Sequence, residues 1–366
     1  MQNLRPSSFK SRLLVMLICV CLSFSLVGCL SAETKVKEFE PVVETTFLMG
    51  TVAKITIYDE IKDNEIFQRV FDRLTDIEQR MTINDDYPNS EIIQLNKASG
   101  KEFVKINPDT FYVLEKAKYL AELSQGKFDI TVGPIVKLWN IGSDNARVPG
   151  IDEINKKLPL VDYHNLILDK DNSSAKLNQE GMVVDLGAIA KGYAADEAVK
   201  ILKEAGIEHA IVNLGGNIVA MNTKLDGSLW RLGLQDPYEI RGKSMGVVLL
   251  NDQTMVSSGT YERYFEEGGK VYHHLIDPDT GYPGENGLIS VSIITKESIN
   301  ADGLSTGTFL LGLEEGMKMI EKIPDTEAIF ITADKKVYVT SGINSSNFEI
   351  TNPDYHLQTT PSPESK

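Results

Sequence analysis

Four short segments carry the side chains with which this chain could bind and activate a phosphorylated ligand. In residues 299–312, INADGLSTGTFLLG, Asp302 and Thr306 stand four residues apart. On a helix that spacing puts both on one face, where they offer two oxygen ligands to a hard cation such as Mg2+. The same pair could instead be an N-cap and a hydroxyl bonded to its own helix. In residues 271–284, VYHHLIDPDTGYPG, two adjacent histidines on a strand point to opposite faces, so only one can serve a given site. His274 near a metal-bound phosphate is a candidate general base for a hydroxyl nucleophile; the alternative is a hydrogen-bonded structural histidine.

In residues 183–198, VVDLGAIAKGYAADEA, an apolar strand is expected to end in a turn bracketed by Gly187 and Gly192 that opens a helix. Free N–H groups there would face an anionic ligand. Asp185 has the wrong charge for a phosphate and is expected to bond a ligand donor. The alternative is a connection whose glycines only turn the chain. In residues 257–269, SSGTYERYFEEGG, Ser258 and Gly259 could bring backbone close to a ligand and Arg263 could bind an acid or phosphate. A hairpin with a surface arginine is the other reading.

The elements that must position these groups alternate between helical and strand periods. Residues 46–59, with Val52, Ile55, Thr56 and Ile57, read as one strand entered at Met49 and Gly50. Ile66, Phe67, Val70, Phe71, Leu74, Ile77 and Met81 recur at three- and four-residue steps and predict a helix over 65–81. Residues 83–96 are turn-rich and then briefly helical. Asn107 as cap and Pro108 at the first helical position start another helix, closed by Gly126. Residues 127–142, KFDITVGPIVKLWNIG, are either a site segment or an apolar lid. A short helix is expected over 151–157 and a hairpin over 166–177, turning at Asp171 and Asn172. After the glycine-bracketed turn a helix should run to Gly206 and a single strand over 210–221, together one α/β unit. Strands over 246–250, 271–276 and 288–295, a helix over 302–313 and two strands flanking Asp334 and Lys335 complete the body. Residues 352–366 read as a disordered tail.

The N-terminal stretch reads as a targeting signal. Arg5, Lys10 and Arg12 precede an apolar run over 13–26, and Leu26, Val27, Gly28 and Cys29 resemble a bacterial lipobox. The run is too short for a spanning helix; an ordinary cleaved signal peptide is the alternative. The expected organisation is a signal over 1–28, a lipidated tether over 29–44, one catalytic domain over 45–350 and the tail. Removing 1–28 would take Cys19 and Cys21 with it, leaving no thiol pair to oxidise. It would leave 34 basic and 52 acidic side chains, a balance of −18. That charge argues against nucleic-acid binding and against adhesion to anionic lipid, so the membrane contact would be the lipid on Cys29 alone, at the extracytoplasmic face. No serine-hydrolase elbow, zinc pattern or Walker motif is present.

Met49-Gly50-Thr51, KFDITVGPIVKLW, VVDLGAIAKGYAADEA, NLGGNI, HHLIDPDTGYP and ADGLSTGTFLLG follow one another in an order that resembles the ApbE family of FAD:protein FMN transferases. The resemblance implies a two-lobed, T-fold-like α+β architecture in which mixed and antiparallel sheets are flanked by helices. It implies that Met49 packs on the flavin, that Lys127, Phe128 and Asp129 line the FAD pocket, that Asp185 bonds the cofactor's polar part, and that Lys191 and Ile276 complete its binding. The Ala188 carbonyl with Asp302 and Thr306 would hold Mg2+ against the pyrophosphate, with His274 or Asp302 as the base. Either Asn84 or Tyr87 would fill the place of a family tyrosine, because 83–91 carries two extra residues. Thr260 stands where the family often has an acidic residue. FAD is then a substrate, the partner an exported protein with a Ser/Thr-containing acceptor motif, and the product a phosphoester-linked FMN with release of AMP. An FAD pyrophosphatase and a flavin-binding lipoprotein without chemistry are the alternatives.

Overall fold

Hydrophobic alternation explains how one sheet supports two different coverings. In the computed structural model, which describes residues 40–84 and 86–358, a nine-stranded sheet runs in the spatial order β1 (Val42–Leu48), β2 (Thr51–Ile57), β6 (Ala210–Leu214), β7 (Asn217–Ala220), β10 (Gln253–Gly259), β13 (Leu288–Thr295), β14 (Glu327–Thr332), β15 (Lys336–Val339) and β17 (His356–Leu357). All neighbours are antiparallel except β15 and β17. On β14, Ala328 and Phe330 face the helical core while Ile329 and Ile331 face a second core, the period-2 pattern of a strand buried on both sides.

The helical core is built by α1 (Ile66–Met81), α2 (Glu91–Lys97), α3 (Pro108–Leu123), α6 (Ala190–Glu204) and α7 (Ser298–Ile320), with a small sheet of β3 (Val104–Lys105), β5 (Ser174–Leu177) and β4 (Leu166–Asp169). The second core lies under β16 (Phe348–Ile350), β9 (Ser244–Leu250) and β8 (Trp230–Gln235). A third, smaller cluster joins α4 (Gly133–Trp139) and α5 (Ile151–Lys157) to the hairpin of β11 (Tyr264–Glu267) and β12 (Lys270–His273). The mixed α+β class with antiparallel sheets and flanking helices is the one expected.

Local signals account for most elements. The apolar stripe of α1 buries Ile66, Val70, Leu74, Ile77 and Met81. Asn107 caps α3, its side chain accepting from the Asp109 N–H at 3.0 Å, with Pro108 at N1. The hairpin β4–β5 and the strands flanking Asp334 and Lys335 form as read.

Several expectations need correction. Residues 46–59 are not one strand but the hairpin β1–β2, turning at Met49 and Gly50, whose φ values are 53° and 68°. Strand β1 begins at Val42, so the last residues assigned to the tether belong to the sheet. Residues 210–221 likewise form the hairpin β6–β7 around Gly215 and Gly216. Val183 makes only an isolated parallel bridge to Val132 rather than a strand, so no β-turn-α-turn-β unit precedes β6. Strand β12 ends at His273, short of the expected Ile276. Helix α7 starts at Ser298 and kinks at Gly312, which places Asp302 in its second turn instead of at its start. Residues 352–358 are not a loose tail: Tyr355 is buried, its hydroxyl donates to Asp236 at 2.6 Å, and β17 pairs with β15. The signal, Cys29 and the tether up to residue 39 lie outside the described residues, as do 359–366.

The start of α7 has no cap of its own, since the Glu297 side chain makes no capping bond. Asp196 of α6 takes that role from a neighbouring helix, accepting from the N–H groups of Ser298 and Ile299 at 2.8 Å each. Burial pushes the Asp196 carboxyl up to about 7 against the pull of those two N–H groups. Asp196→Ala would leave both donors without this acceptor and should lower folding stability by about 1–2 kcal/mol, read by chemical denaturation. An unchanged midpoint would show that the helix start is held by packing alone.

Candidate active site

The crossing of α6 and α7 fixes the most buried acid in the pocket. Gly192 lies so close to α7 that a Cβ there would stand 2.3 Å from the Ser298 carbonyl oxygen. Its N–H donates to Asp302 Oδ2 at 2.9 Å, while Lys191 Nζ approaches Asp302 Oδ1 at 3.4 Å. Gly192 therefore serves helix packing and carboxylate orientation, and not the ligand approach expected from the sequence. Gly187 N–H is also committed, donating to Asp185 Oδ1 at 2.9 Å across its own turn. Gly192→Ala should force the helices apart and displace Asp302, so that both thermal stability and turnover fall sharply. A variant as stable and active as the parent would contradict this packing role.

Thr306 follows one turn after Asp302 and faces β10. Its hydroxyl lies 3.3 Å from Ser258 Oγ, which also meets Ser305 Oγ at 2.8 Å. Ala188, Lys191, Asp302 and Thr306 line one cavity together with Asp185 and His274. The pair His273–His274 divides as expected: His273 is buried with Nε2 on the Gly284 carbonyl, and His274 reaches the cavity. The His274 Nδ1 lies 3.2 Å from the Arg263 carbonyl oxygen. A carbonyl can only accept, so Nδ1 carries the proton and Nε2 keeps its lone pair. Burial, with the nearby Arg263 charge, holds this imidazole down at about 3, so it is neutral at physiological pH. Burial pushes the Asp185 carboxyl up, against the Gly187 N–H and the charges of Arg263, Lys137 and Lys191.

The segment 127–142 lines the same cavity. Phe128 packs over α7 where Gly303 and Gly307 leave room. Asp129 is buried and holds its loop by accepting from Thr131 N–H and Tyr163 N–H at 2.7 and 2.9 Å; burial pushes its carboxyl up. Lys127 Nζ pairs with Asp277 and Asp279, both at 2.8 Å, and so clamps the Asp-Pro-Asp-Thr turn that follows His274. Those hydrogen bonds outweigh the burial and raise the Lys127 ammonium. Ile276 bridges to Pro283, and Trp139 donates from its indole N–H to the Gly281 carbonyl at 2.7 Å. Lys127, Phe128, Asp129, Trp139 and Ile276 line the cavity.

Comparison with known proteins gives this geometry a family. The model of the ApbE family matches residues 49–330. The chain belongs to the ApbE family. A Klebsiella pneumoniae protein named FAD:protein FMN transferase is 36% identical over 294 residues, covering 80% of this chain and 90% of the relative. A Treponema pallidum protein of the same name is 34% identical over 331 residues, covering 87% and 91%. The solved ApbE protein of Thermotoga maritima superposes with a TM-score of 0.76 at 30% identity, covering 83% of this chain and 98% of that one. The flavin transferase ApbE of Vibrio cholerae gives 0.73 at 28% identity, covering 82% and 97%.

In this ApbE chain the cavity gathers Lys127, Phe128, Asp129, Asp185, Ala188, Lys191, His274, Ile276, Asp302 and Thr306 from the residues expected of it. Met49 and Tyr87 are not among its lining. Met49 occupies the left-handed position of the β1–β2 turn and packs on the helical core, and Tyr87 closes a turn by donating its N–H to the Asn84 carbonyl at 3.0 Å. The cavity also exposes residues that sequence reasoning did not assign: Asn217, Glu262 and Trp139. The signal for Asn217 was its place in the NLGGNI motif, directly after the Gly215–Gly216 turn.

Proposed function

We propose that this chain transfers FMN from FAD to a serine or threonine hydroxyl of a partner protein and releases AMP. The observation that carries this reading is a single cavity that presents Asp302, Thr306 and a neutral His274 with a free Nε2. The names of its relatives and its membership of the ApbE family support the same activity.

The donor set fits Mg2+. Asp302, the Thr306 hydroxyl and the Ala188 carbonyl supply only oxygen, and a shell with one carboxylate suits an ion that arrives with phosphate and water. Among the described residues no group of three or more His, Cys, Asp or Glu is arranged around a metal. When bound, the ion would neutralise charge on the pyrophosphate.

The chain's own groups do the rest. His274 Nε2 accepts the proton of the acceptor hydroxyl as its oxygen bonds to the FMN-side phosphorus. The bond from that phosphorus to the bridging oxygen breaks in line, and AMP leaves with that oxygen. The Arg263 carbonyl holds the imidazole in the required tautomer. Lys191 lies beside Asp302 and is placed to meet phosphate oxygens. The flavin ring is cargo, packed on the apolar wall around Phe128, Trp139 and Ile276.

The reading includes location: lipidation at Cys29 would hold the body at the extracytoplasmic face of the cell membrane, supported by the basic residues and apolar run before that cysteine. Among the described residues no helix is long and apolar enough to cross a membrane.

The test is intact mass spectrometry of a protein carrying a Ser/Thr-Gly-Ala-Thr-like acceptor motif, incubated with the enzyme, FAD and Mg2+. A mass gain of one FMN that EDTA abolishes is expected. AMP formed rapidly without acceptor, and no mass gain, would instead identify a pyrophosphatase.

A further inference from the structure

One side chain in the cavity is left without a partner. Asn217 is 4% exposed and lines the site, yet its Nδ2 is a buried donor with no hydrogen-bond acceptor. Buried amides are nearly always satisfied, so an orphaned one facing a cavity marks a place for an acceptor from outside the fold.

The register of the sheet fixes what Asn217 faces. Strand β7 pairs with β10 so that Val219 is opposite Thr254. Asn217 and Val219 share a face of β7. Val219 belongs to the helical core, and Thr254 meets Ser298 of α7 hydroxyl to hydroxyl at 3.2 Å. Asn217 is therefore on the helix side of the sheet, the side on which Ser258 meets Ser305 and Thr306. Gly215, two residues before it, packs closely on the β1–β2 turn: a Cβ there would stand 2.2 Å from Thr51 Oγ1. The Arg241 guanidinium fastens the same turn by donating to the Gly215 carbonyl at 2.9 Å. The amide is thus held in place rather than free to swing out.

We infer that Asn217 is a substrate-binding residue whose side-chain N–H donates to a phosphoryl oxygen of the bound dinucleotide. The inference rests on the proposed function and adds a residue to it. The neighbourhood selects the acceptor: Asn217 shares its face of the sheet with Ser258, which meets Thr306 one turn after Asp302, whereas Trp139 and Ile276, suited to a ring system, belong to a separate apolar cluster.

The test compares Asn217→Ala and Asn217→Asp with the parent enzyme, using fluorescence titration with FAD, ADP and riboflavin, and thermal melts with and without FAD. The parent should bind FAD. Asn217→Ala should weaken FAD and ADP roughly 10- to 100-fold, the range for a hydrogen bond to a charged group, and leave riboflavin unchanged. Asn217→Asp, which sets a carboxylate against phosphate, should weaken FAD further. The ligand-free melting temperature of Asn217→Ala should not fall, because the amide it removes has no partner in the free protein, while the shift produced by FAD should shrink. Equal FAD affinity in parent and Asn217→Ala would overturn the inference and leave the proposed function standing. An equal loss for riboflavin would also overturn it, by placing the donor at the flavin ring. A lower ligand-free melting temperature with full FAD affinity would make Asn217 structural only. A parent that binds no FAD would remove the functional reading itself, and this inference with it.

Discussion

Asp302→Ala should lose essentially all FMN transfer while remaining folded and able to bind FAD. Asp302 is 5% exposed and lines the cavity with Thr306 and Ala188, where it is the charged member of the set. A cation held by this carboxylate would neutralise charge on the pyrophosphate, a contribution of several kcal/mol to phosphoryl transfer, so a loss of about 10³-fold or more is expected. A separate and smaller effect comes from the fold. Asp302 Oδ2 accepts the Gly192 N–H, and deleting it strands a buried donor, destabilising the protein by about 1–3 kcal/mol. Asp302→Asn separates the two, since its amide oxygen can still accept from Gly192 while the charge is gone. Stability near that of the parent with transfer still lost is the expected result. Transfer at the parental rate in either variant would remove Asp302 from the mechanism.

His274→Ala should reduce kcat by roughly 10²- to 10⁴-fold, the usual contribution of a positioned general base, with a smaller change in FAD affinity. The pH dependence is the sharper test. Because burial lowers this imidazole from 6.5 to about 3, the free enzyme already holds the neutral form near pH 6, and kcat/KM should show no inflection at 6.5 from His274. Linkage gives the matching stability effect. Between pH 6.5 and about 3 the unfolded chain binds a proton at this residue that the folded chain does not. Stability from neutral His274 is therefore fully present above pH 6.5 and is lost as pH falls through that window. Denaturation curves of His274→Ala should be flatter with pH there than those of the parent. A kcat/KM inflection at 6.5 that disappears in the variant would mean that the group titrates normally.

What the sequence made legible was whatever local chemistry controls. The stripe of α1, the Asn107–Pro108 start of α3 and the strands on either side of Asp334 and Lys335 each carry their signal within a few residues. The site residues on 127–129, 185–191, 274–276 and 302–306 were legible because their types and order are specific to one family. Long-range partners hid the rest. Helix α7 begins four residues before Asp302 without a local capping bond, since its cap is Asp196 on another helix. The hairpins at Met49–Gly50 and Gly215–Gly216 read as unbroken strands because β-favouring residues continue on both sides of each turn. Residues 352–358 look like a polar tail, yet Asn352 and Tyr355 both donate to the buried Asp236, more than a hundred residues away in sequence. Asn217 lies in the quoted NLGGNI motif, but that its amide lacks a partner could not be read there, because a missing partner is a property of the assembled cavity.

The order of the large sheet also decides how the protein responds to mechanical load. Its two outermost strands, β1 and β17, are the first and last strands of the chain, and eight interstrand spacings of about 4.8 Å put them on the order of 40 Å apart across the sheet. Tension applied through the N-terminus enters at Val42, at the end of β1 away from the Met49–Gly50 turn. An edge strand pulled from its free end can unzip one rung at a time, so β1 would peel from β2 before force reached β6, β7 or the helices behind them. A label or fusion joined beyond residue 358 would hang from the other margin, with the cavity-lining strand β10 midway between the two attachment points.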